Sequence, residues 1–141
     1  NRPRDESLNI TAFFMKKGAG QLVDGTVYLD TNLDESLFLT PVDTTKRVSD
    51  YMIDLRSKEV RDVKILIPEK MEVSSLPAPY QIHTAWVDFC RTYSQTGNQI
   101  VMHKECVIHH RRVPRSEIPA WNKIISDWGA ACNEQVVLKE K

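Results

Sequence analysis

Little in this sequence is extreme, and each shortage closes off a class of protein. The 141 residues carry 19 Lys and Arg against 19 Asp and Glu, so no net charge of either sign is left. A dedicated nucleic-acid binder usually shows a strongly basic footprint, and a disordered acidic tail shows the reverse. Long apolar runs are also missing. Stretches such as Ala12-Phe13-Phe14-Met15 fall far short of the about 20 residues that a membrane-spanning helix needs. No secretory signal pattern is visible. The chain begins Asn1-Arg2-Pro3-Arg4 without Met, which reads as a processed form or a domain cut from a longer chain.

Cysteine is scarce too. Cys90, Cys106 and Cys132 are odd in number and widely spaced, which is no disulfide framework. No C-x-x-C occurs, so neither a zinc ribbon nor a thioredoxin motif is available. The expectation is three small buried hydrophobes. One Cys90–Cys106 bridge stays open, because the two fall on strands expected to be neighbours.

What is present suits one globular domain spanning residues 1–141. Hydrophobic residues make up 41% and charged residues 27%, ordinary values. The length fits a single domain of about 100–200 residues. A subdivision into N-terminal strands (1–45) and a sheet plus helix (63–141) is the alternative.

The first half reads as strands. Leu8–Met15 is rich in β-branched and aromatic residues. Gln21–Val23 and Thr26–Leu29 flank Asp24-Gly25, a hairpin signal. Leu37–Leu39 is a further short candidate. Residues 43–61 read as a long connection holding one short strand at Tyr51–Ile53. In Val63–Ile67, the alternate residues Val63, Ile65 and Ile67 share a face, and Pro68 ends the run. Met71–Val73 follows, and the prolines of Leu76–Tyr80 predict an extended, unpaired course. Ala85–Ser94 and Gln99–His110 predict an antiparallel hairpin across Thr96-Gly97-Asn98. Val87, Phe89 and Tyr93 face one side, as do Ile100, Met102, Cys106 and Ile108.

The period then changes. Ile118, Trp121, Ile125, Trp128 and Cys132 recur at steps of 3 and 4, one apolar stripe on a helix. Ser116 is placed to cap it. Pro119 falls in the first turn, where a missing N–H does no harm. Gln135–Leu138 reads as a short final strand. The fold class is mostly β: an antiparallel β-sandwich with one C-terminal α-helix packed on a sheet.

Chemical motifs are thin. Gly20-x4-Gly25-Thr26 lacks the Lys and the helix of a phosphate-binding loop. Asn9-Ile10-Thr11 fits the glycosylation pattern by chance. The densest cluster is His103, Lys104, His109, His110, Arg111, Arg112 and Arg115, which reads as a solvated basic strand end. His109 and His110 face opposite ways on a strand, and His103 lies about 20 Å from His109. No metal site and no cofactor are expected from them. Catalysis would need a Cys within reach of an oriented His, and no such pair is evident, so no catalytic residue is assigned. Residues 18–45 hold five acids (Asp24, Asp30, Asp34, Glu35, Asp43) and no Lys or Arg. Against the basic run, that asymmetry reads either as an interdomain interface or as neutralisation within the fold. His109, His110, Arg111, Arg112 and Arg115 are the interface candidates.

From Val63 onward a family resemblance appears. The pieces are Val63-Lys64-Ile65-Leu66-Ile67-Pro68-Glu69, then Val73-Ser74-Ser75-Leu76-Pro77, then the two long strands. Pro119-Ala120-Trp121 and Asn133-Glu134-Gln135-Val136-Val137-Leu138-Lys139 complete the order, and Phe38-Leu39-Thr40-Pro41 is an earlier echo. This arrangement resembles the C-terminal β-domain of exported bacterial proteins that join an N-terminal β-sandwich to a transglutaminase-like, papain-type core. Lys70-Met71 and Trp121 depart from the family pattern, which has Gly-aromatic and Tyr there. The resemblance implies a non-catalytic accessory domain whose partner is the neighbouring core of the same chain. It also implies a periplasmic or extracellular location. The alternative is an autonomous glycan- or peptide-binding module. No nucleic-acid partner and no membrane span are expected.

Overall fold

The computed structural model describes residues 19–32, 40–53 and 58–141. The strands expected at Leu8–Met15 and Leu37–Leu39, and the Asn9 pattern, lie outside them. In chain order the strands are β1 (Gly20–Val23), β2 (Thr26–Leu29), β3 (Tyr51–Met52), β4 (Lys58–Leu66) and β5 (Met71–Ser75). They continue as β6 (Tyr80–His83), β7 (Val87–Thr96), β8 (Gln99–Ile108) and β9 (Arg112–Val113). Helix α1 (Ile118–Cys132) and strand β10 (Val136–Glu140) close the chain. One four-stranded sheet runs β1-β2-β10-β5 and the other β4-β8-β7-β6, with β3 and β9 as a small separate pair. Every pairing is antiparallel.

Local chemistry accounts for the two hairpins. Asp24 and Gly25 both take positive φ (47° and 75°), the conformation whose twist matches flanking strands. At the β7–β8 turn Gly97 adopts φ 58° and sets Thr96 opposite Gln99. Strand β7 starts two residues later than expected. The Thr84 hydroxyl accepts from the Trp86 and Val87 amides at 3.2 and 2.9 Å and donates to the Val87 carbonyl at 2.8 Å. This side-chain turn competes with the ladder. Strand β8 likewise stops at Ile108, because the His109 amide turns to the Trp86 carbonyl at 2.7 Å.

Three other expectations need correction. The long connection ends early, since polar Lys58–Asp62 is already strand, held by register with Val107–His103. Tyr80–His83 pairs with β7, although its sequence reads as the tail of a proline-rich coil. Ser116 does not cap α1. A 3-10 turn (Arg115–Glu117) precedes the helix, Glu117 occupies the cap position, and no side chain caps it. Pro119 does sit in the first turn. The short final strand β10 proves central, pairing with β2 on one side and β5 on the other.

The sheets enclose two cores. Ile67 and Ile100 meet Val136 and Leu138, with Val27, Leu29, Val73 and Tyr93 around them; this is the sandwich layer. The helix stripe of Ile118, Trp121, Ile125, Trp128 and Cys132 covers Val87, Phe89, Cys106 and Ile108. Trp128 stacks on Phe89 with ring centroids 4.5 Å apart. Trp121 meets Trp86 edge-on at 6.2 Å.

Candidate functional site

The interface candidates are placed by β3, β9 and the end of β8. His109 Nε2 lies 2.8 Å from Asp88, and His83 Nδ1 lies 3.2 Å from the same carboxylate. Gln81 Nε2 sits 2.8 Å from the other ring nitrogen of His83. The register explains the grouping: His83 pairs with Asp88 across β6–β7. Burial works against the ionised form of Asp88, but its hydrogen bonds with His109 and His83 outweigh it, so the carboxyl lies below its ordinary value. His110 is exposed. Arg111 Nε donates to the Ile53 carbonyl at 3.0 Å. Arg112 reaches Asp50 at 2.6 Å, and the Arg115 amide donates to the same carboxylate at 2.8 Å. Those contacts hold the Asp50 carboxyl below its usual value, the Arg115 amide contributing most. The basic run is thus pinned to residues 50–53. His103 sits apart, 2.7 Å from Asp62 on the outward face.

The cysteines divide between faces. Cys106 stands opposite Phe89 and Cys90 opposite Glu105, one register step apart and therefore on opposite sides of the sheet. All three thiols are free, which closes the Cys90–Cys106 option. Cys106 and Cys132 are buried as expected, while Cys90 is only half-buried. Burial pushes the Cys106 thiol up to about 12 and raises that of Cys132. Neither buried sulfur offers the thiolate that nucleophilic or metal-ligand chemistry uses. Among the described residues no group of three or more His, Cys, Asp and Glu could hold a metal ion.

A second polar site was not evident in the sequence. Arg91 and Lys104 are only 2% and 3% exposed. They are register partners on β7 and β8, and Arg61 on β4 stands beside Lys104 at the same level. This row crosses the inward face between the two hydrophobic cores. Arg91 Nη2 donates to Glu134 at 2.5 Å and to the Ala78 carbonyl at 3.1 Å, and its guanidinium lies 5.3 Å from the Tyr93 ring centre. Lys104 Nζ donates to Asn32 Oδ1 at 2.8 Å. The Tyr93 hydroxyl meets Thr31 Oγ1 at 2.6 Å. Cys132, at the end of α1, lines the same space. A helix C-terminus favours cations, which helps to explain why charges tolerate this position. Lys104 therefore does not belong to a solvated strand end. Its place alternates with Met102 and Cys106, as Arg91 alternates with Phe89 and Tyr93, and that alternation was the signal that marks both as inward.

A two-sheet antiparallel β-sandwich with a helix packed on the β4-β8-β7-β6 sheet is the class that this geometry defines. Residues 25–138 match the family described as a domain of unknown function with a solved structure (DUF3858), and the chain belongs to that family. No curated protein matches the sequence. The fold is similar to a crystal structure of a provisionally assigned protease from Parabacteroides distasonis, with a TM-score of 0.65 at 14% identity. The match covers 82% of this chain and 24% of that one, so the chain spans about a quarter of that structure's length.

Proposed function

We propose that this chain is a non-catalytic accessory domain of a transglutaminase-like exported protein, seated beside a catalytic core within the same longer chain. One observation carries the reading: the same fold forms 24% of a much longer chain provisionally assigned as a protease. The order of sequence pieces from Val63 to Lys139 supplies the transglutaminase-like class, and with it the periplasmic or extracellular location. The buried, neutral thiols of Cys106 and Cys132 fit a structural role. The exposed tip bearing His110, Arg111, Arg112 and Arg115 is the docking surface of this proposal, because two of its cations, Arg111 and Arg112, are held in place by Ile53 and Asp50 at the two ends of β3. Complementary charge there would set orientation.

The test is a calorimetric titration of this domain into the remainder of its parent chain. His110→Glu with Arg115→Glu, at two exposed side chains outside the contacts to Asp50 and Ile53, should leave the domain folded and weaken docking, with a loss that shrinks as salt screens the contact. Full docking by the double variant would remove the tip from the interface. Failure of the wild-type domain to dock would remove the proposal.

A second reading has its own observation. Strand β1 is exposed along its whole length, with Leu22 and Val23 uncovered. It carries no charge and no Pro to blunt pairing. A peptide adding as a strand to β1 would make the chain an autonomous peptide-binding module.

A further inference from the structure

We propose that the outer face of the β3–β9 ribbon docks onto an acidic protein surface with an apolar recess at its centre, anchored by Met52 and Val48 and oriented by the arginines around them. The inference rests on the accessory-domain reading above and names the chemistry of the core face that meets the tip. The ribbon has two unlike faces. Tyr51 and Val113 are register partners, and both belong to the core beneath α1. Met52 and Arg112 are the next pair, so they stand on the opposite side. Met52 is 52% exposed there, and nearby Val48 is 82% exposed. Val48 precedes Asp50 by two residues, so chain length alone keeps it within about 7 Å of the residue that holds Arg112. A single exposed Val is ordinary. Exposed Met beside Arg is the composition enriched in protein interfaces, where Lys is depleted. The tip follows that bias, with Arg47, Arg111, Arg112 and Arg115 against Lys46.

Charge complementarity fixes the partner's sign. Asp50 already accepts from Arg112 and from the Arg115 amide, and Asp43 is turned to Thr45. The field that the patch offers outward is therefore positive. Its arginines are also held before any partner arrives. Arg112 is fixed by Asp50 and Arg111 by the Ile53 carbonyl. Arg47 donates to the Asp50 carbonyl at 3.2 Å and lies 5.6 Å from the centre of the Tyr51 ring. Side chains already ordered lose less freedom on binding, and the guanidinium fork matches a carboxylate. A single-stranded nucleic acid would need outward aromatic faces for its bases, whereas Tyr51 packs against Trp121. Buried apolar anchors carry most of the affinity of an interface, and complementary charges around them set its register.

The experiment titrates the domain into the remainder of its parent chain by calorimetry, at low and at high salt. Val48→Ser with Met52→Ser should keep the wild-type melting midpoint, because both side chains face outward. It should weaken docking by at least about tenfold, the scale of burying an exposed Val or Met. That loss should persist at high salt, where the loss from reversing charges is screened. Hydrogen exchange on the complex should show protection at residues 46–52 and at a segment of the core where Asp or Glu surround apolar side chains. Docking by the double Ser variant equal to that of the wild type would overturn this inference alone, leaving the accessory role in place. No docking by the wild type would overturn both. Protection at a core segment without carboxylates, or binding to anionic vesicles in place of the core, would also overturn the proposal.

Discussion

Replacing Trp121 tests how the helix is held, and two substitutions at one position separate packing from polarity. Trp121 has no exposed surface and sits under Trp86 and Tyr51, with ring centroids 6.2 and 5.9 Å away. Truncating a buried aromatic to Ala costs about 3–5 kcal/mol, against a total stability of roughly 5–15 kcal/mol for a domain. For a chain of this length that corresponds to a fall in melting midpoint of roughly 10–15 °C. The indole Nε1 is itself buried without a partner, which costs about 1–3 kcal/mol in the wild type. Trp121→Phe removes that orphan donor at the cost of a smaller cavity, so the two effects partly offset and its loss should be clearly smaller than that of Trp121→Ala. Urea unfolding followed by far-UV circular dichroism measures both. Equal losses for Trp121→Phe and Trp121→Ala would show that the N–H is satisfied and the polar argument wrong. An unchanged midpoint in Trp121→Ala would show that the stripe does not anchor α1.

Other outcomes follow from individual contacts. The Asp88 carboxyl is held below its ordinary value, so its contribution is present above the unfolded pKa of about 3.9 and is lost as pH falls through the lower folded value. Thermal melts should accordingly show wild type losing more stability than Asp88→Asn below about pH 4, with their midpoints converging; a constant gap would contradict the assignment. Iodoacetamide at mildly alkaline pH should label Cys90 first and leave Cys106 and Cys132 unmodified until unfolding, read by mass spectrometry, since burial keeps the last two thiols protonated. Labelled oligonucleotides titrated at physiological salt should bind weakly and lose affinity as salt rises, because Arg112 is already committed to Asp50 and few cations remain for phosphates. Sub-micromolar, sequence-dependent binding would refute that reading.

The parts of the fold legible in the sequence are those where one local signal dominates. The Asp24-Gly25 turn, the alternating faces of β7 and β8, and the 3-4 stripe of α1 each follow from short-range chemistry. The parts that escaped are set by partners far along the chain. Tyr80–His83 becomes a strand only because β7 offers it a ladder. Lys58–Asp62 is polar but for Val60 and is recruited by β8. The inward polar row escaped for a related reason: Arg91 and Lys104 carry charges that composition assigns to the surface, while the period of two assigns them to the core. Tertiary register decides between those signals, and here it favours the core. The neighbourhood of His83, Asp88 and His109 was likewise invisible, since it joins β6, β7 and the end of β8 through pairing alone.

The central claim is that this domain carries no catalytic machinery of its own and serves a core elsewhere in its parent chain. It is tested most directly by measuring turnover of peptide and amide substrates with the isolated chain and with the longer parent, each with and without Cys90→Ala and Cys106→Ala. The account predicts an inert isolated chain, and a parent whose activity survives both changes and depends on a cysteine outside these residues. Turnover by the isolated chain that disappears with either substitution would contradict it.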